Sequence, residues 1–91
     1  MDKRSKKILY IIIGEYLKMP LPVGSKQVAE KYGLSASSIR SWMVPLEKNG
    51  YLKRVYSSSG RIPTDKALRF YINELLEAQD VIFRKRERIK N

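Results

Sequence analysis

Apolar residues recur along this chain in helical patterns, broken once by a short stretch of β character. In residues 3–19, Ile8, Leu9, Ile12 and Tyr16 repeat at spacings of three and four, which gathers them on one face of an α-helix. The run 8–13 is apolar throughout and on its own also suits a buried strand. The segment continues through Glu15, Tyr16, Leu17 and Lys18, past ordinary strand length, and so reads as helix despite Gly14. Met19-Pro20-Leu21-Pro22 ends it, since proline lacks the N–H and restrains its predecessor. A short second helix is expected to follow, with Ser25 as N-cap, Val28, Ala29 and Tyr32 on one face, and Gly33 as its stop.

Ser35 then caps a third helix that reaches Asn49-Gly50. Steps of 100° per residue put Ile39, Met43 and Leu46 on a stripe to be buried. Ser37, Arg40, Ser41, Val44 and Lys48 spread over the other side. Pro45 removes the bond to the Ser41 carbonyl, so a kink or a reorganised last turn is expected. Trp42 falls at the edge of the buried stripe and is read as a packing residue.

Residues 51–56 are rich in aromatic and branched side chains, residues 57–60 form a turn, and Arg61-Ile62 returns as a second strand. Pro63-Thr64-Asp65 opens a last helix, with Thr64 as N-cap, that extends to about residue 90. Along it Leu68, Tyr71, Leu75, Ala78, Ile82, Lys85 and Ile89 alternate at three- and four-residue steps. Such a seam suits a partner helix, and a homodimer through the C-terminal helix is one expectation. Fraying of the basic end in water is the other.

The fold class expected is mainly α with a small β-hairpin: a winged helix-turn-helix, three-helix core plus wing, followed by a long C-terminal helix. Residues 1–75 form the winged-helix domain and residues 76–91 a basic helical extension. A hydrophobic fraction of 43% over 91 residues supports one folded core of modest size. There is no cysteine and no histidine. The usual nucleophile, general base and thiolate or imidazole metal ligands are therefore missing, and neither an enzyme nor a cofactor or metal site is expected. No apolar run approaches the ~20 residues of a membrane span, and a cytoplasmic protein is expected.

The net charge of +10 is unevenly placed: +3 in residues 1–7, +1 in 8–39, +5 in 40–69, −3 in 70–82 and +4 in 83–91. The cationic block coincides with the third helix and the hairpin, as in a binder of double-stranded DNA. The candidate contacts are Ser37, Ser38, Arg40, Ser41 and Lys48 on the third helix, with Arg40 directed at guanine or phosphate. Ser25 and Lys26 join them from the second-helix start, and Lys53, Arg54, Ser58, Ser59, Gly60 and Arg61 from the wing. A protein-interaction module without specific DNA binding fits the same fold. An anionic-membrane surface, met by the basic tail with Val81, Ile82 and Phe83, is a weaker alternative, and no membrane partner is expected.

Three blocks carry a family resemblance: P-V-G-S-K (22–26), S-I-R-x-x-M-x-x-L-E-x-x-G-Y-L (38–52) and S-S-G-R-I-P-T-D-K-x-x-R-F-Y (58–71). With them the chain resembles, from about residue 3 to 73, the N-terminal DNA-binding domain of the HrcA heat-inducible transcription repressors. The resemblance implies a winged helix on an inverted-repeat operator upstream of chaperone operons. It also implies a C-terminal region for dimerisation and sensing, tuned by chaperonin. Arg40, Gly60 and Arg61 carry over. The family's Thr-Ile-Arg-Asn is here Ser38-Ile39-Arg40-Ser41, Trp42 replaces a usually acidic residue, Pro45 interrupts the helix, and the preceding turn is about two residues shorter.

Overall fold

Four α-helices and a two-stranded hairpin follow one another in a computed structural model that describes residues 1–55 and 60–90, with side chains through residue 86. Helix α1 (Lys3–Lys18) starts at Asp2, whose carboxylate accepts the Ser5 N–H at 2.7 Å. Helix α2 (Ser25–Tyr32) ends on Gly33, which sits at φ 66°, a conformation that costs glycine nothing and other residues about 1 kcal/mol. Ser25 is not the N-cap: Gly24 takes that position without a side-chain cap, and Ser25 is the first helical residue. The extended backbone arriving from Val23 sets the boundary, which a capping preference alone does not locate.

Helix α3 (Ala36–Lys48) is capped by Ser35, whose hydroxyl accepts the Ser38 N–H at 3.4 Å. It passes through Pro45 without ending. Its C-terminus is closed by Asn49, whose backbone and side-chain N–H groups both donate to the Pro45 carbonyl, at 3.0 and 2.8 Å. Strands β1 (Leu52–Arg54) and β2 (Arg61–Pro63) pair antiparallel, Leu52 against Pro63 and Arg54 against Arg61. Pro63, expected to open the last helix, instead closes the ladder at its end, where a missing donor is tolerated.

Val23 supplies a third, one-residue strand. It exchanges backbone hydrogen bonds with Arg61 at 2.8 and 2.9 Å, so β2 lies between β1 and the approach to α2. The architecture is a winged helix. Its core joins Ile8, Leu9, Ile12 and Ile13 of α1 with Val28 and Ala29 of α2 and with Ile39, Met43 and Leu46 of α3. Val23, Leu52 and Ala67 close it.

Helix α4 (Asp65–Lys90) starts at Thr64, whose hydroxyl accepts the Ala67 N–H at 3.2 Å and donates to the Gly50 carbonyl at 2.6 Å. Tyr10 of α1 meets Tyr71 of α4 edge-on, ring centres 5.1 Å apart. The boundary expected at 75/76 falls inside α4, which runs through it unbroken. The heptad seam is only partly realised. Leu68 and Tyr71 pack on the domain, while Leu75 and Ile82 are exposed together with Ile72, Leu76 and Phe83.

Between α1 and α2, Glu15 accepts from Lys31 Nζ at 2.6 Å and from the Tyr32 hydroxyl at 3.1 Å. The Lys31 hydrogen bond is the main reason that the Glu15 carboxyl titrates below its ordinary value and Lys31 above its own. A lowered carboxylate stabilises the fold above the unfolded value and loses that contribution as pH falls through the folded one. The raised lysine contributes below its unfolded value and loses it as pH rises through the folded one. Glu15→Gln is therefore expected to lower the melting temperature near neutrality and to flatten its decline on acidification, read by thermal scans across the acid range.

Gly60 is required for a different reason. A Cβ there would lie 2.7 Å from Pro22 Cβ and 3.0 Å from the Pro22 carbonyl carbon. Gly60→Ala is expected to push the wing off Pro22 and cost about 1–3 kcal/mol in urea unfolding.

Candidate nucleic-acid interface

The turn between α2 and α3 is short because Gly33 reverses the chain and Ser35 caps at once, so α3 leaves with one face against α1 and the other outward. On the outward face Ser37, Arg40, Ser41 and Lys48 are exposed. Ser38 is half-buried, its N–H on Ser35 and its carbonyl accepting the Ser41 hydroxyl at 2.6 Å, so it belongs to the first helical turn more than to the outer stripe. Ser37 Oγ lies 2.8 Å from Ser35 Oγ. Val44, 48% exposed, sits amid this polar stripe. The helical projection had already placed it there, but an apolar residue carries no obvious signal of contact. A thymine methyl is the base-edge feature that such a side chain meets.

A second feature spans four elements. Gly24, Ser25 and Lys26 at the start of α2, Arg40 and Met43 on α3, Arg54 at the end of β1 and Arg61 on β2 line one pocket. Four cationic side chains, Lys26, Arg40, Arg54 and Arg61, thus converge on it. Ser25 is half-buried, while Lys26 and Arg54 are exposed. Glu47 balances the charge of Arg61, and the cations of Lys26, Arg40 and Arg54, with the backbone N–H groups opening α2, favour an anionic guest.

The wing residues divide. Lys53 and Arg54 face solvent. Arg61, expected on the outer wing, is turned inward: it is 6% exposed and its Nε lies 3.2 Å from Glu47 Oε2. It is buried because β2 is the middle strand, flanked by β1 and Val23, a position that residue type alone does not reveal. Gly60 is likewise buried against Pro22. Ser58 and Ser59 lie outside the described residues. Trp42 is partly buried, with the Arg4 guanidinium 5.9 Å above its ring. Among the described residues no cluster of three or more acidic, histidine or cysteine side chains is placed to hold a metal ion.

No family model matches the chain. Individual relatives do. The heat-inducible transcription repressor HrcA of Thermoanaerobacter sp. (strain X514) is 47% identical over 78 residues, 84% of this chain and 23% of the relative. The repressor of the same name from Clostridium tetani is 48% identical over 81 residues, covering 87% and 23%. That of Acetivibrio thermocellus is 45% identical over 83 residues, covering 89% and 24%. This chain is a homologue of the N-terminal part of HrcA. It spans about a quarter of the length of the HrcA relatives that it matches. A crystal structure of a hypothetical protein, at 2.2 Å resolution, superposes with a TM-score of 0.77 at 42% identity, over 86% of this chain and 26% of that one. The HrcA relatives are transcription repressors, and no helix among the described residues is long and apolar enough to cross a membrane.

The block from Gly60 onward serves the architecture. Gly60 seats on Pro22, Arg61 ties to Glu47, Thr64 caps α4, and Lys66 Nζ reaches the Asn49 carbonyl at 2.7 Å. Pro45, exposed, lies just behind the outer stripe of α3. Arg61→Ala is expected to destabilise the domain by about 2 kcal/mol, through lost packing and a stranded Glu47. Arg54→Ala is expected to stay within about 0.5 kcal/mol of the parent. Chemical unfolding of the two variants side by side checks this assignment of inner and outer wing cations.

Proposed function

We propose that this chain is a sequence-specific, double-stranded DNA-binding domain of a transcription repressor, acting on an inverted-repeat operator. The observation that carries the reading is the convergence of Lys26, Arg40 and Arg54 from α2, α3 and the wing on one pocket beside the exposed stripe of α3. Phosphate contacts position a protein on the duplex and base edges specify the sequence. Here the pocket supplies the first and the stripe the second.

In this arrangement α3 lies in the major groove. Ser37, Ser41, Val44 and Lys48 project toward base edges, the serines as adaptable donors and acceptors and Val44 toward a methyl group. Lys26, Arg40 and Arg54 surround a backbone phosphate at the groove edge, with Arg61 as the buried floor that holds the wing against α3. Lys53 follows the neighbouring backbone. Two domains on an inverted repeat place their reading helices about one turn of DNA, roughly 34 Å, apart. Repression of heat-inducible transcription, the role named for the relatives, is the corresponding biological role.

Selection of genomic duplexes by the purified chain is expected to enrich an inverted repeat, and affinity is expected to fall steeply with salt. Arg40→Ala is expected to weaken operator and unrelated duplexes alike, by about 1–2 kcal/mol, and to reduce the slope of log K against log salt by about 1. A loss confined to the operator would move Arg40 from the phosphate to a base edge. No enrichment, with binding indifferent to salt, would leave a protein-docking role for the same face.

A further inference from the structure

The exposed stripe of α3 is bordered by different chemistry on its two flanks. On one side lies the pocket of Lys26, Arg40 and Arg54. At 100° per residue Trp42 projects about 160° from Arg40, with Ser37, Ser41, Val44 and Lys48 on the arc between them. On the Trp42 side, the start of α1 lies against α3. Met1, Asp2 and Ser5 line a pocket with Pro45, Leu46 and Asn49, and the Arg4 guanidinium sits 5.9 Å above the Trp42 ring. Arg4 is exposed, and among the described residues no carboxylate lies within ion-pair distance of it. Asp2, the acid nearest in sequence, already accepts the Ser5 N–H. Lys3 and Lys7, also exposed, flank Arg4 along α1.

We propose that Arg4, seated on Trp42, holds a second backbone phosphate, on the strand across the major groove from the one met by Lys26, Arg40 and Arg54. This contact depends on the DNA-binding role proposed for α3. A helix with its side chains is about 10–12 Å across and the major groove about 12 Å wide, so a helix in the groove has a phosphate backbone beside each flank. Charge selects the occupant, since a solvent-facing guanidinium without an acid of its own is matched by a phosphate. The indole makes an arginine suited to this place. A guanidinium stacked over an aromatic face keeps its N–H groups in its own plane, where one edge can meet two phosphate oxygens. The stack also restrains a long side chain before the duplex arrives, so less rotamer entropy is lost on contact. Trp42 is itself partly buried against the core, which holds the ring while Arg4 stays in solvent. Arg4 is thus the phosphate ligand, and Trp42 a positioning residue.

The test titrates the 91-residue chain with a duplex that it selects and with an unrelated one, across a salt series. Arg4→Ala is expected to weaken both about fivefold near 0.15 M salt and to lower the slope of log K against log salt by about 1, as for the loss of one neutralised phosphate. Trp42→Leu is expected to match it, and to cost nothing further when added to Arg4→Ala. Trp42→Phe is expected to restore most of the affinity, because a phenyl ring still offers a face to the cation. Neutral methylphosphonates placed one at a time along each strand then locate the contact. Within one half-site, the phosphate to which Arg4→Ala becomes indifferent is expected on the strand opposite the one to which Arg40→Ala becomes indifferent. Salt-dependent binding that Arg4→Ala leaves unchanged, a loss confined to the selected duplex, or both indifferent phosphates on one strand would each overturn this contact and leave DNA binding standing. A parent chain that binds neither duplex would remove the two together.

Discussion

The pair of backbone hydrogen bonds between Val23 and Arg61 is what makes the candidate interface a single object. Without it, the start of α2 and the wing would be separate loops on either side of α3. With it, β2 is held between β1 and the approach to α2, and Arg61 is carried inward to Glu47 of α3. Gly60 adds a steric lock, because only the absence of a Cβ lets the wing settle on Pro22. Three elements are thereby tied at one point, and the cations that they carry are brought to one pocket. A charge cluster of this kind does not arise from composition. It requires backbone connections that hold several cations near one another, with Glu47 offsetting that of Arg61.

The core and the candidate interface use opposite sides of α3. Ile39, Met43 and Leu46 are buried against aliphatic side chains of α1, and each removes apolar surface worth roughly 1.5–3 kcal/mol from water. The outer stripe contributes little to that core. Ser37, Ser41 and Val44 are small and leave a low surface on that side. Pro45 belongs to this division as well. Its side chain is exposed, and the helix survives it because Asn49 donates twice to the Pro45 carbonyl and the Tyr51 N–H donates to Leu46 at 2.8 Å. The missing bond at the Ser41 carbonyl is a local loss inside an otherwise closed helix end.

Much of this was legible in the residues themselves. Helices were recoverable because the core is nearly all aliphatic and falls at helical spacing, and because Gly33, Ser35 and Thr64 are unambiguous punctuation. The outward stripe of α3 followed from the same projection. What the residues concealed depends on tertiary position. Nothing local separates Arg61, which is buried as the middle strand's arginine, from Arg54, its exposed cross-strand partner at the end of β1. Gly24 displaces Ser25 as cap because Val23 is held in a β-bridge by a residue 38 positions later. The seam read along α4 divides, with Leu68 and Tyr71 packed on the domain and Leu75 and Ile82 exposed, since a long helix with aromatic residues on one side and aliphatic ones on another supports two heptad frames. Only docking shows which frame is already used.

The remaining connection runs from α3 to α4. The segment that ends α3 and starts β1 is also what fixes the last helix: Gly50 and Asn49 offer carbonyls to Thr64 and Lys66, and the Tyr51 carbonyl accepts the Thr64 N–H at 3.1 Å. The Lys66 ammonium further sits 4.6 Å above the Tyr51 ring. The direction of α4 is therefore set from the C-terminal end of α3, through short bonds and not through a flexible linker.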